Sequence, residues 1–139
     1  MTSARPYKTL IDRLKGVGLR PTRQRLALAK LLFAGHDRHV TAEQLHDDAM
    51  AAGISVSLAT VYNSLNQFTQ AGLLREVIVE PGRSYFDTNV SDHHHFYFEN
   101  SGELRDIPSD ALRLSALPSV PEGSVIDRVD VTIRLKSSQ

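Results

Sequence analysis

Asp92-His93-His94-His95-Phe96 puts three of the chain's six histidines side by side, in a sequence of 139 residues that contains no cysteine. Imidazole is a common metal ligand and titrates near neutral pH. Side chains alternate along an extended segment, so His93 and His95 share one face and His94 takes the other. The Cα atoms of the like-facing pair then stand about 6–7 Å apart, which suits two cis ligands on one ion. Without cysteine there is no disulfide framework, no thiolate zinc site and no thiol redox switch. Any metal or prosthetic group must be held by His, Asp, Glu, Tyr or Met.

These residues need a scaffold, and the chain supplies two kinds. Leu10, Ile11 and Leu14 recur at helical spacing between Tyr7 and Gly16. Thr22 is a suitable N-cap for a second helix, Arg23 to Ala34, stopped by Gly35. Thr41 with Gln44 three residues on is a capping box opening a third helix that ends at Gly53. Ser57 caps a fourth, running to Ala71, with Leu58, Val61, Leu65 and Phe68 inward and Ser57, Thr60, Asn63 and Ser64 outward. The period then changes. Leu73–Val79 and Ser84–Asp87 read as strands around the turn Glu80–Arg83. Helices followed by a hairpin is the winged helix-turn-helix order, with the third and fourth helices as the helix-turn-helix.

After residue 87 the chain reads differently. Thr88–Asp92 is a polar hinge. His93–Phe98 and Glu103–Ile107 are strands joined by Glu99–Gly102, Asp110–Leu117 is a short helix, and Val129, Val131, Ile133 and Leu135 alternate with polar residues in a last strand. The fold class expected is α+β: a winged-helix DNA-binding domain over 1–87, a hinge over 88–92, and a small α/β dimerisation domain with the histidine-rich site over 93–139. So small a unit exposes a sheet edge and an apolar face, and is more stable paired with a second copy.

Net charge is zero, but it is unevenly placed. Residues 1–38 carry nine Lys and Arg against Asp12 and Asp37, whereas residues 88–139 carry five against eight acids. A basic N-terminal part can meet phosphates while the acidic part stays clear of them. No apolar run reaches the roughly 20 residues that span a bilayer, and MTSARPYKTL lacks a hydrophobic signal stretch; the reading is a cytoplasmic protein with no membrane partner. On the fourth helix, Thr60 and Tyr62 can contact thymine methyls and Asn63 can pair with adenine. Ser55 and Ser57 can donate to phosphate, and Lys15, Arg20, Arg23 and Arg25 can clamp the backbone.

Several strings together resemble the ferric uptake regulator family of bacterial repressors. They are Leu14–Arg25 (LKGVGLRPTRQR), His39–Leu45 (HVTAEQL), Ala59-Thr60-Val61-Tyr62 with Leu65 and Ala71-Gly72-Leu73, and His93-His94-His95 followed by Ser101-Gly102. The resemblance spans roughly residues 8–107. It implies a homodimer, double-stranded DNA with an AT-rich inverted repeat as partner, and no enzymatic activity. It also implies His39 and Asp87 as metal ligands with His93 and His95, the Asp87 match requiring a one-residue gap. Such a donor set suits Mn²⁺, Fe²⁺ or Zn²⁺. Asp106 is a candidate for a second site. His46, on a helix, is expected to be solvated.

The departures point to a subfamily. Asn63 stands where the family usually has arginine. Phe98 and Ser101 occupy the positions of a Cys-x-x-Cys pair, so a structural zinc site built from four cysteines is absent. The histidine string lacks its usual acidic residue. These features resemble the iron response regulators, which sense iron through haem. Some members bind haem through a Cys-Pro motif; here haem would use His93, His94 or His95, with a second axial ligand from elsewhere in the chain or from a dimer mate. The expected function is a haem- and iron-responsive regulator, mainly a repressor, of iron and haem homeostasis genes, bound to DNA at low iron and released by haem. The alternative is a repressor that binds DNA when loaded with Mn, Fe or Zn. A strand-borne His-x-His pair also occurs in small β-barrel dioxygenases, but that fold needs many strands and about half of this chain reads as helix. A plain dimerising module with a degenerate site would show no specific duplex binding.

Overall fold

The chain is described by a computed structural model over residues 4–138, with side chains described from residue 8. It forms two compact units, Met1–Val90 and Ser91–Gln139. The first contains α1 (Ala4–Gly16), α2 (Arg23–Phe33), β1 (His39–Val40), α3 (Ala42–Ala51), α4 (Leu58–Gln70), β2 (Arg75–Glu80) and β3 (Arg83–Asp87). The second contains β4 (His94–Phe98), β5 (Leu104–Ile107) and β6 (Thr132–Leu135).

The helices of the first unit start where side chains satisfy their free N–H groups. Thr22 accepts from the Arg25 amide, Ser57 from the Thr60 amide, and Thr41 and Gln44 form a complete capping box. Each such cap is worth about 1 kcal/mol. Leu14, Leu28, Leu32, Leu45, Val61, Leu65 and Phe68 interlock beneath them as the core. Gly53, at φ +76°, ends α3 in the left-handed region that side chains resist. The Ile54 amide then closes back on the Ala49 carbonyl at 2.8 Å and turns the chain toward α4.

Two positions on α4 differ from the sequence reading. Ser64, expected outward, is buried, and Leu58, expected inward, is exposed. Ser64 lies three residues after Val61 and four before Phe68, so helical geometry puts it on their stripe. Leu58 begins the helix, one turn short of the packed stretch.

The three-stranded sheet of this unit has the order β1-β3-β2. Its two-residue strand β1 pairs His39 with Asp87 and Val40 with Phe86. Across β3, Arg75 pairs with Asp87 and Val77 with Tyr85. The hairpin β2–β3 is the wing, irregular between Ile78 and Glu80.

In the second unit β4 is central. It runs antiparallel to β5 and parallel to β6. Parallel strands need a crossover, and the crossover here is not helical: the helix expected over Asp110–Leu117 does not form. The stretch between Pro108 and Pro118 is too short to sustain a helix unaided, and Leu114 and Leu117 are exposed rather than packed. Among the described residues, Tyr97, Leu104 and Ile107 are the buried apolar side chains of this unit. No described helix is long and apolar enough to cross a membrane.

Candidate metal centre and nucleic-acid surface

The β4–β5 hairpin builds the histidine site. His95 and Asp106 are direct cross-strand partners. His95 Nε2 lies 3.2 Å from Asp106 Oδ1, and His93 Nε2 lies 3.5 Å from the same oxygen. The two imidazoles meet edge to face, with centroids 4.5 Å apart. Ligand atoms of His93, His95 and Asp106 all fall within 4.8 Å of one another. Both histidines are buried, whereas the Asp106 side chain is 49% exposed. Two rings thus form a floor and one carboxylate forms the rim.

Hydrogen bonds sort the three adjacent histidines. His93 Nδ1 sits 2.6 Å from the Ser91 carbonyl, an acceptor only, so Nδ1 is the donor in that bond. His94 lies on the other face. Its Nδ1 accepts from the Val131 amide at 3.1 Å, which leaves the proton of the neutral ring on Nε2. His94 therefore ties β4 to the chain entering β6. The two nitrogens and one carboxylate of His93, His95 and Asp106 suit a borderline or hard divalent ion. His39 and Asp87 are placed in the first unit as neighbours across β1 and β3. The His39 ring meets Tyr85 edge to face at 6.0 Å, and Asp87 is buried and accepts from the Asn89 amide.

On the first unit, Lys15, Arg20, Arg23, Ser55, Ser57, Tyr62 and Asn63 are exposed and Thr60 is partly so. Arg25 is engaged within the protein: its guanidinium donates to the Arg20 carbonyl at 2.6 Å and to Gln67 Oε1 at 2.7 Å. It ties the start of α2 to the end of α4. The Ser57 hydroxyl donates to Thr60 Oγ1 at 2.9 Å while capping α4. His46 is not free in solvent; its Nε2 lies 3.1 Å from the Val56 carbonyl and braces the turn before α4. Tyr62 donates its phenolic proton to Glu43 Oε2 at 2.8 Å. That bond, with smaller effects of burial and of the Glu43 charge, pushes the phenol above its ordinary value of 10.0. The sequence reading does not single out Glu43 as a functional residue, and no local pattern points to it; its partner lies 19 residues away.

A capped helix-turn-helix with a wing, followed by a small sheet unit, defines the class of winged-helix DNA-binding regulators. The chain belongs to the ferric uptake regulator family, whose profile, "Ferric uptake regulator family", matches residues 16–131. A ferric uptake regulation protein of Bordetella parapertussis is 37% identical over 92 residues, covering 66% of this chain and 66% of that protein, so the match spans about two thirds of that relative. The ferric uptake regulator of Vibrio cholerae, solved with its DNA-binding domains rearranged, superimposes with a TM-score of 0.72 at 25% identity, over 91% of this chain and 98% of that one. The ferric uptake regulator of Pseudomonas aeruginosa, solved with manganese, gives 0.69 at 24% identity over 91% and 96%, a likeness of fold alone. Members of this family regulate transcription and are not enzymes.

Proposed function

We propose that this protein is a homodimeric transcriptional regulator that binds duplex DNA through α4 and the wing and responds to a divalent metal held by His93, His95 and Asp106. The observation that carries the reading is the cluster itself: His93 Nε2 and His95 Nε2 lie 3.5 Å and 3.2 Å from one Asp106 oxygen, two buried imidazoles against one carboxylate. Mn²⁺ and Fe²⁺ match this donor set, with Zn²⁺ as a competitor. When bound, the ion supplies a positive centre that cross-links β4 and β5. His93, through Ser91, then fixes the chain at the first residue of the second unit, which biases the direction of the linker toward the reading head. His39 and Asp87 remain proposed metal ligands on the family resemblance.

Dimerisation is proposed through the second unit. Its few buried apolar side chains are accompanied by exposed Leu114, Leu117, Val120, Val125 and Ile126, and pairing two copies would cover them. The proposed operator is an AT-rich inverted repeat, matching two-fold symmetry with two-fold symmetry.

A second reading is the haem-responsive iron response regulator, which leaves DNA when haem binds. Asn63 in place of arginine and the unbroken His93-His94-His95 string favour it. The geometry asks more of a haem, because a porphyrin needs an open face over its ligand and His93 and His95 are buried. We therefore place the metal reading first. Fluorescence anisotropy of a labelled AT-rich inverted repeat, at fixed salt, decides between them. Titration of metal-free protein with MnCl₂ should bring binding on, and haemin should not abolish it. Binding by metal-free protein that haemin abolishes would reverse the order of the two readings.

A further inference from the structure

We infer that Glu43 determines DNA specificity by positioning Tyr62: by accepting the phenolic hydrogen bond, it leaves the Tyr62 hydroxyl only as an acceptor and so selects a base that offers an amino group. The inference rests on the DNA-binding reading above. Glu43 is the second residue of α3 and Tyr62 the fifth of α4, so their 2.8 Å hydrogen bond bridges the two helices of the helix-turn-helix. Both side chains are exposed, and both line a cavity of about 620 Å³ shared with Thr41, Asn66, Arg83 and Ser84 at the wing. This pair is therefore on the surface between recognition helix and wing, not in the core.

A carboxylate there opposes phosphate by charge, so its presence calls for a compensating role. A phenol has one proton and two lone pairs. The bond to a carboxylate is charge-assisted and holds the proton firmly. The raised ionisation of Tyr62 keeps that proton in place well into the alkaline range. What the hydroxyl can still offer is a lone pair. In the major groove, adenine N6 and cytosine N4 present donors, whereas guanine O6 and N7 and thymine O4 present acceptors. A proton-committed Tyr62 thus accepts from adenine or cytosine and is repelled by guanine or a thymine carbonyl. Freed from Glu43, the hydroxyl rotates and donates, and the distinction disappears.

The test is selection from a randomised duplex pool by the full-length Mn²⁺-loaded protein, with sequencing of the bound fraction for wild type, Tyr62→Phe, Glu43→Ala, Glu43→Lys and Glu43→Gln. The position whose preference Tyr62→Phe relaxes is the one Tyr62 reads. Wild type should favour there, about fivefold, the base-pair orientation that puts adenine or cytosine on one fixed strand (A·T and C·G over T·A and G·C), the worth of one neutral hydrogen bond. Glu43→Ala and Glu43→Lys, which offer the phenol no acceptor, should lose that preference, and Glu43→Gln, whose amide oxygen still accepts, should retain it. Either acceptor-free variant decides the matter if the other does not fold. A position at which the wild-type pool holds A·T and T·A, or C·G and G·C, equally would overturn the inference, because a hydroxyl that only accepts must distinguish the two orientations of a base pair. So would acceptor-free variants whose affinity changes equally for all sequences, since Glu43 would then act only as a charge. A wild-type pool that converges on no sequence would instead sink the DNA-binding reading, and this inference with it.

Discussion

Asp106→Asn isolates the metal site from the fold. Asp106 Oδ1 lies within 3.5 Å of both His93 Nε2 and His95 Nε2, and its side chain is 49% exposed. The substitution keeps the volume and removes the charge. Outer-sphere partners of metal ligands already cost 10–100-fold in affinity when lost, so the loss of an anionic ligand should cost at least about 100-fold, or ~2.8 kcal/mol at ~1.4 kcal/mol per decade. The metal-free fold should lose less than about 1 kcal/mol, because Asp106 is half exposed and solvent screens its contacts with His93 and His95. His95→Ala is a poorer probe: the imidazole is 2% exposed, and truncating it should destabilise the metal-free protein by about 1–3 kcal/mol. Calorimetric titration of metal-free Asp106→Asn with MnCl₂, beside a urea melt, reads both quantities. Wild-type affinity for Mn²⁺ in this variant would refute the assignment and leave Asp106 as an exposed hydrogen-bond partner. Weakened affinity together with a stability loss above about 1 kcal/mol in the urea melt would refute the separation of site from fold.

Arg25→Met should lower stability by about 1 kcal/mol, after allowance for solvent at a partly exposed site, because two hydrogen bonds joining α2 to α4 are lost; a phosphate clamp would instead weaken DNA binding with the urea midpoint unchanged. Tyr62 should ionise above 10.0, and Glu43→Ala should bring it down. Its bond to Glu43 stabilises the protonated phenol, so that contribution is whole below the ordinary tyrosine range and fades as pH rises through the elevated value. Ultraviolet difference titration measures it, and an unmoved transition in Glu43→Ala, which removes the acceptor, would contradict the 2.8 Å bond. Val125→Asp with Leu117→Asp should shift sedimentation from dimer toward monomer, as charge enters an apolar surface that is 89% and 50% exposed in the single chain; a persistent dimer would move the interface elsewhere.

The elements most legible in the sequence are those fixed by local chemistry. Thr22, Thr41 and Ser57 each announce a helix start through their own hydroxyls, and each cap forms. The strand β1 is not legible, because two residues have no pattern and His39-Val40 become a strand only when β3 arrives to pair with them. The helix over Asp110–Leu117 fails for a related reason: its apolar residues have the spacing but no surface to meet. Asp106 reads from the sequence as a candidate for a second site, whereas the fold sets it against His93 and His95. That placement is within reach of sequence reasoning. A hairpin closing between Phe98 and Glu103 forces residue 95 opposite residue 106, so the two strands and their turn already contain the third member of the cluster. The Arg25 bond to Gln67, 42 residues away, and the His46 bond to the Val56 carbonyl depend on tertiary packing that spacing does not encode.

Three adjacent histidines end with different capacities, and the backbone is the cause. The pleat sends His94 away from its neighbours. The groups waiting on each side then decide the proton. Ser91 offers a carbonyl to His93, so Nδ1 is the donor there and Nε2 faces Asp106. Val131 offers an amide to His94, so Nδ1 is consumed as an acceptor and Nε2 keeps the hydrogen. A ring in that state must surrender a hydrogen bond or a proton before it can ligate anything, whereas His93 has its Nε2 on the side of His95 and Asp106. The same Val131 accepts from the His95 amide at 3.1 Å and thereby carries the parallel pairing of β4 with β6 back to the residue opposite Asp106. The crossover without a helix is thus anchored at its far end by the middle histidine, and that anchor holds the strand on which the two outer histidines meet Asp106.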